Sequence, residues 1–142
     1  DSFMEFGDRT LLIFLADAQG QLVLSTESKT LVMKADEGGL QGDPFGGLSV
    51  NAKATLSIEN SGGSKDRWGF IQRFQFRNGD FFLIGSTKSS YDTNSGSGTT
   101  LDRNLLTGDQ IETRTRSDRP DHLVRKKSPV QPLRKLTETS VE

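Results

Sequence analysis

The only imidazole this chain offers for chemistry is His122, in the segment DHLVRKK beside Asp121. A serine hydrolase needs a nucleophile, a histidine base and an acid to orient the base. Serines are plentiful, but no GxSxG elbow presents one. His122 is therefore expected to be an exposed or edge-strand histidine. Cysteine is absent, which excludes disulfides, Cys-ligated zinc, iron–sulfur clusters and thiol catalysis. Asp36, Glu37 and Asp43 surround the segment DEGGLQGDPFGG. An EF-hand loop needs oxygen ligands at alternating positions and a closing glutamate. This segment lacks them, so turn chemistry is expected there, and no metal. GGLQGDPFGG and NSGGSK have glycines but neither the Walker pattern nor a following helix. Nothing points to a paired-carboxylate cleft of the kind glycosidases use. The expectation is a protein that is not an enzyme and needs no cofactor.

One constellation superficially suits nucleic acid. In RWGFIQRFQFR, Arg67, Arg73 and Arg77 interleave with Trp68, Phe70, Phe74 and Phe76, as a stacking platform would need. Strand parity argues otherwise. The four aromatics share one face with Gln72, while Ile71, Arg73, Gln75 and Arg77 lie on the other. The aromatic face is expected in the core, with the arginines in solvent. The formal net charge of −1 gives no global pull toward nucleic acid or an anionic membrane, and neither is expected as a partner. Charge is uneven along the chain. Acids such as Asp1, Glu5, Asp8, Asp17, Glu27, Asp36, Glu37 and Asp43 crowd the front, and Arg103, Arg114, Arg116, Arg119, Arg125, Lys126, Lys127, Arg134 and Lys135 the back. The two ends are expected to pair within one fold; the alternative is a basic patch for an acidic partner.

The elements that must position these groups read as strands. A length of 142 residues suits one domain with a real core. The 15 glycines and the abundant serine and threonine suggest many turns. Residues 10–16 (TLLIFLA) and 21–26 (QLVLST) flank the turn DAQG and read as a hairpin. That first run is the longest apolar stretch and is strand-sized, too short to span a bilayer. Residues 31–33 read as a short strand. Residues 48–50 and 54–59 flank another turn, with Ala54, Leu56 and Ile58 on one face. Residues 60–67 (NSGGSKDR) read as a Gly/Ser loop. Then comes an aromatic hairpin, with arms at residues 68–77 and 80–89. Its Asn78-Gly79 turn is a strong hairpin signal, because a type I′ turn needs positive φ at both central residues. Residues 101–106 are open between strand and helical turn. Residues 109–116 and 122–127 read as strands, with residues 117–121 a loop containing Pro120. Pro129 and Pro132 enforce extended geometry. The fold class is therefore all-β: antiparallel hairpins in one domain, a compact sheet, sandwich or barrel. The domain covers residues 1–136, and residues 137–142 form a frayed tail.

The second aromatic arm opens into a long polar loop, YDTNSGSGTT, and the candidate contact segment runs over residues 86–98. Serine, glycine, asparagine and tyrosine suit adaptable binding loops, and loops on rigid β scaffolds often carry recognition. Ser86, Lys88, Ser89, Ser90, Tyr91, Asp92, Asn94, Ser95 and Ser97 are the candidate partner-binding residues.

Residues 42–85 carry the pattern GDPFGGLSV, then NSGGSKDRWGF, then FQFRNGDFFLIG. It resembles a group of small exported bacterial proteins, and LLTGDQIETR and the basic tail SPVQPLRKL look similar as well. The resemblance implies an exported, non-enzymatic all-β domain in the periplasm. A removed signal peptide would then explain a chain that begins at Asp1. Within that class the chain looks like a periplasmic immunity protein of a type VI secretion system, which plugs a peptidoglycan amidase toxin. Such an inhibitor inserts a loop into the Cys–His cleft of the toxin. By analogy Ser89 or Ser90 would hydrogen-bond the catalytic histidine and Tyr91 would supply buried area. The alternative is a carbohydrate- or peptidoglycan-binding envelope module that stacks sugars on Trp68 or Tyr91.

Overall fold

A computed structural model describes residues 6–141. Asp1 and Glu5 of the acidic front, and Glu142 of the expected tail, lie outside the described residues. The described residues form nine strands: β1 Leu11–Ala16, β2 Leu22–Ser28, β3 Phe45–Val50, β4 Thr55–Gly63, β5 Asp66–Arg77, β6 Asp80–Asp92, β7 Ser97–Asn104, β8 Asp109–Arg116 and β9 Arg119–Lys127. β1 and β2 make a separate hairpin. β3 to β9 pair in sequence order as one antiparallel sheet, with β3 and β9 at its edges. The sheet is therefore open and not a barrel, and the all-β expectation holds. Among the described residues no helix is long and apolar enough to cross a membrane.

Local chemistry explains the hairpins. Asn78 and Gly79 sit at φ 50° and 82°, the left-handed geometry that a two-residue turn requires. The arms they join, β5 and β6, are the longest strands, and each outruns its expected arm. Residues 51–54 close the β3–β4 turn. There the Asn51 side-chain oxygen accepts from Lys53 N (2.9 Å) and Thr55 N (3.1 Å).

Directly opposed residues of an antiparallel pair share a face, so the register assigns both faces of the sheet. The inner face carries Leu56, Ile58 and Asn60 of β4 and Gln72 and Phe74 of β5. Phe81 and Leu83 of β6 oppose Phe76 and Phe74. The β1–β2 hairpin covers this patch with Leu11, Ile13 and Leu15, joined by Leu31, Val32 and Leu136. Phe74, Leu31, Ile58 and Leu136 are fully buried. Asn60, also fully buried, holds the crossing segment: its amide donates to Leu31 O (3.0 Å) and its oxygen accepts from Met33 N (3.2 Å).

Several expectations change. Residues 31–33 form no strand; they are a bent crossing segment that spends its backbone groups on Asn60. Ala54 belongs to the turn, at φ 56°, and not to the alternating strand. Residues 60–67 are not a loop, because β4 and β5 run on to a tight turn at residues 64–65. Residues 101–106 divide between strand β7, through Asn104, and the turn that follows it. Pro120 lies inside β9, which an edge strand tolerates because one side needs no donors.

The aromatic row is only partly core. Phe74 and Gln72 are buried, Trp68 and Phe70 half-buried, and Phe76 is 44% exposed. Parity chose their face, but the covering layer ends before it reaches both ends of the row.

Charge pairing is local. Arg9 meets Asp43 and Lys34 meets Asp8 at the front. At the back Arg114 meets Glu112, Lys127 meets Asp109 and Arg119 meets Asp118. The front acids therefore do not neutralise these basic residues as expected. Arg114 and Glu112 are two apart on β8, Arg119 and Asp118 are consecutive, and Lys127 directly opposes Asp109 across the β8–β9 pair.

The C-terminal segment is not frayed through Val141. Leu136 is fully buried and Thr139 nearly so. Val141 N donates to Thr30 O (3.1 Å), the Thr30 hydroxyl to Thr139 O (2.7 Å), and Gln72 Nε2 to Ser140 O (2.8 Å). One buried leucine and three hydrogen bonds tie this end down.

Candidate functional site

The expected long loop is a hairpin. Residues 86–92 are the second half of β6, Ser97 opens β7, and only residues 93–96 turn. Ser, Thr, Tyr and Gly here are strand residues because the neighbouring strands supply ladder partners on both sides: Ser90 pairs with both Trp68 and Thr99. Composition suggested a loop, and tertiary pairing overrode it.

Strand geometry then splits the candidate residues. Ser86, Lys88, Ser90, Asp92 and Ser97 belong to the inner face, opposite Gln72, Phe70, Trp68, Asp66 and Asp92 respectively. Ser89 and Tyr91 belong to the outer face, opposite Gly69 and Arg67. The two serines expected to act alike therefore point to opposite sides of the sheet. Asn94 and Ser95 lie in the turn.

A bulge sets this arrangement. Arg73 pairs with Gly85 and Phe74 with Leu83, which leaves Ile84 as the extra residue. The extra residue switches the parity of β6. Odd-numbered Phe81 and Leu83 and even-numbered Ser86, Lys88 and Ser90 thereby share the inner face. Ile84 also uses its carbonyl to accept from Leu105 N (2.9 Å).

The turn itself is built on Asp92. Its Oδ1 accepts from Asn94 N (2.8 Å) and Ser95 N (2.9 Å), and its backbone oxygen from Gly96 N (3.0 Å). Its Oδ2 lies 3.2 Å from Lys65 Nζ in the neighbouring β4–β5 turn. Thr93 donates from both N (3.0 Å) and Oγ1 (3.1 Å) to Lys65 O. On the other side Ser117 Oγ, in the β8–β9 turn, donates to Ser95 O (3.2 Å). Three turns, the β4–β5, β6–β7 and β8–β9 turns, are thus cross-linked into one rim at the same end of the sheet. The hydrogen bond from Ser95 N and the Lys65 ammonium hold the Asp92 carboxyl down at about 2, from an ordinary 3.8. Sequence reading missed Lys65 and Ser117. The available signal was DTNSG, an aspartate opening a turn that closes on a glycine.

Beside the rim the inner face continues past its covering layer. Trp68 and Phe70 are half-buried with ring centroids 5.5 Å apart. Lys88 Nζ stands 5.4 Å over the Phe70 ring, within cation–π reach. Ser90 and Thr99 are exposed beside Trp68. On the outer face Tyr91 lies across Gly98 and shields backbone that has no side chain of its own; a Cβ on Gly98 would sit 3.0 Å from the Tyr91 ring. Further along the outer face of β6 the Thr87 hydroxyl donates to Asp102 (2.6 Å) and accepts from Arg73 (2.9 Å).

His122 is exposed on edge strand β9, opposite Arg114. Among the described residues no group of three His, Cys, Asp or Glu is placed to hold a metal ion. Asp43 faces Arg9 and caps its own turn through Phe45 N (3.0 Å), so it serves as a turn residue. No protein-family model, curated protein or solved structure matches this chain.

Proposed function

We propose that this chain is a non-enzymatic periplasmic binding protein that inhibits a cell-wall-degrading toxin, with the β6–β7 end of the sheet as its contact surface. The observation that carries the reading is the cross-linked rim around Asp92. A turn held in place by two neighbours gives up little conformational freedom on binding, so more of its contact energy appears as affinity. The mechanism is steric: a blunt, rigid edge of turns seats at the mouth of a cleft. Ser90 offers a hydroxyl that both donates and accepts, and Tyr91 an amphipathic ring suited to an interface centre.

The test is inhibition of peptidoglycan amidases by the purified protein, compared with Ser90→Arg, Ser89→Arg and Tyr91→Ala. Ser90→Arg is expected to abolish inhibition if the inner face meets the toxin, and Ser89→Arg if the outer face does. Normal inhibition by all three variants moves the contact elsewhere. No inhibition of any amidase by the unaltered protein ends the inhibitor reading.

One observation favours a second reading, a glycan-binding module. Trp68 stands half-exposed on an open sheet face beside Phe70 and Lys88, and sugars stack on such rings. Titration with peptidoglycan fragments should then change tryptophan fluorescence, and Trp68 is the only tryptophan. A toxin inhibitor should give no response.

A further inference from the structure

The C-terminal strap leaves a cleft that the rim does not involve. After β9 the chain turns back across the inner face as residues 128–134. It is anchored at both ends. Ser128 N donates to Gly108 O (2.8 Å) and Gln110 Nε2 to Ser128 Oγ (2.7 Å). At the far end Leu83 N donates to Arg134 O (2.9 Å). Between the anchors Pro129 and Pro132 have fixed φ and no N–H to give the sheet. The strap therefore bridges stiffly and leaves a cleft of about 310 Å³ beneath it, at the small end of the range for small-molecule sites.

Its chemistry is one-sided. Leu83, Leu105, Val130, Pro132 and Leu133 give it apolar walls. Arg103 stands on the inner face between Ser86 and Gln110, and all three line the cleft. Arg134 lines it too, and among the described residues no carboxylate does. Unlike Arg73, Arg114 and Arg119, Arg103 faces no acid among the described residues; Arg67 and Arg77 of β5 face none either, but bond to neighbouring carbonyl and amide oxygens. A guanidinium presents a planar fork that matches a carboxylate. The apolar walls would favour an uncharged hydrocarbon body on the same molecule.

We infer that this cleft binds a small amphiphilic carboxylate, its head on Arg103 and its apolar body against Leu83, Leu105 and the strap prolines. The inference stands apart from the inhibitor reading, since the cleft and the rim share no residue.

The test is an NMR titration of the ¹⁵N-labelled full chain with octanoate, with octanol and inorganic phosphate as controls. Octanoate should give saturable shifts at Leu83, Ser86, Arg103 and Gly108. Octanol should bind about tenfold or more weakly, the scale of one charge-assisted hydrogen bond. Arg103→Gln should weaken octanoate by a similar factor and leave octanol unchanged, and Arg103→Lys should lose less. Arg103 is exposed, so its replacement should keep the folded spectrum, and Arg116→Gln is the remote control. The inference falls if octanoate shows no saturable shifts, if the shifts map elsewhere, or if Arg103→Gln titrates as the unaltered protein does. It falls equally if phosphate displaces octanoate at matched concentration, because the apolar walls would then contribute nothing.

Discussion

Asp92 and Lys65 join two neighbouring turns across the end of the sheet, with carboxylate and ammonium 3.2 Å apart. Asp92 also holds its own turn through Asn94 N and Ser95 N. One side chain therefore organises the candidate contact surface, and its protonation should disorganise it.

The sign follows from the shift. The Asp92 carboxyl sits at about 2 when folded, against an ordinary 3.8. A carboxyl with a depressed folded value stabilises the fold fully above its unfolded value and loses that contribution as pH falls through the folded one. Amide exchange at Asn94 and Ser95 should accelerate as pH falls across that window, after correction for intrinsic rates. Asp92→Asn should remove most of the pH dependence. Asp43, held at about 2 by Arg9 and Phe45 N, titrates in the same window. Residue-resolved exchange, and not global stability, is therefore the measurement to make.

Gly62→Ala should destabilise the chain by about 1–3 kcal/mol, as overpacking does. A Cβ there would lie 2.6 Å from Trp68 Cζ2 and 2.7 Å from Gly38 O, so either the indole or the backbone must move. Urea unfolding followed by tryptophan emission reads both effects. An unchanged midpoint would mean that the indole does not rest on Gly62.

Leu136→Ala should cost about 2–5 kcal/mol, the range for a fully buried leucine. A smaller loss, below about 1 kcal/mol on the scale of an exposed site, would show that the C-terminal segment does not close the core in solution. The denaturant midpoint is the readout, with Leu106→Ala, an exposed leucine, as the control.

Ala54→Gly should stabilise the chain by up to about 1 kcal/mol. Ala54 sits at φ 56°, where an L side chain is penalised by roughly 1–2 kcal/mol. Glycine returns part of that gain through its freer unfolded chain. A thermal or urea midpoint that falls would place Ala54 in an ordinary conformation.

Much of the fold was legible. The Asn78-Gly79 turn, the parity of residues 68–76 and the runs at residues 11–16 and 109–116 all declare themselves through local sterics or side-chain alternation. The candidate site was legible only as composition. Ser89 and Ser90 looked interchangeable in a loop, yet they sit on opposite faces of a strand. Ile84 carries no mark of a bulge, yet it decides which face Ser86, Lys88 and Ser90 join. Leu136 is one leucine in a polar tail, and nothing near it announces burial.

Taken alone, the sequence determined that this is an antiparallel β protein, where its tightest turn falls and which aromatics share a face, since these follow from φ preferences and the two-residue period of a strand. Only the tertiary structure decided that residues 90–92 and 97–104 are strands, that three turns lock into a rim around Asp92, and that the C-terminal strap spans a cleft over Arg103. The reason is physical. A strand is completed by the N–H and C=O groups of its neighbours, and which residues become neighbours is set by how the whole sheet assembles.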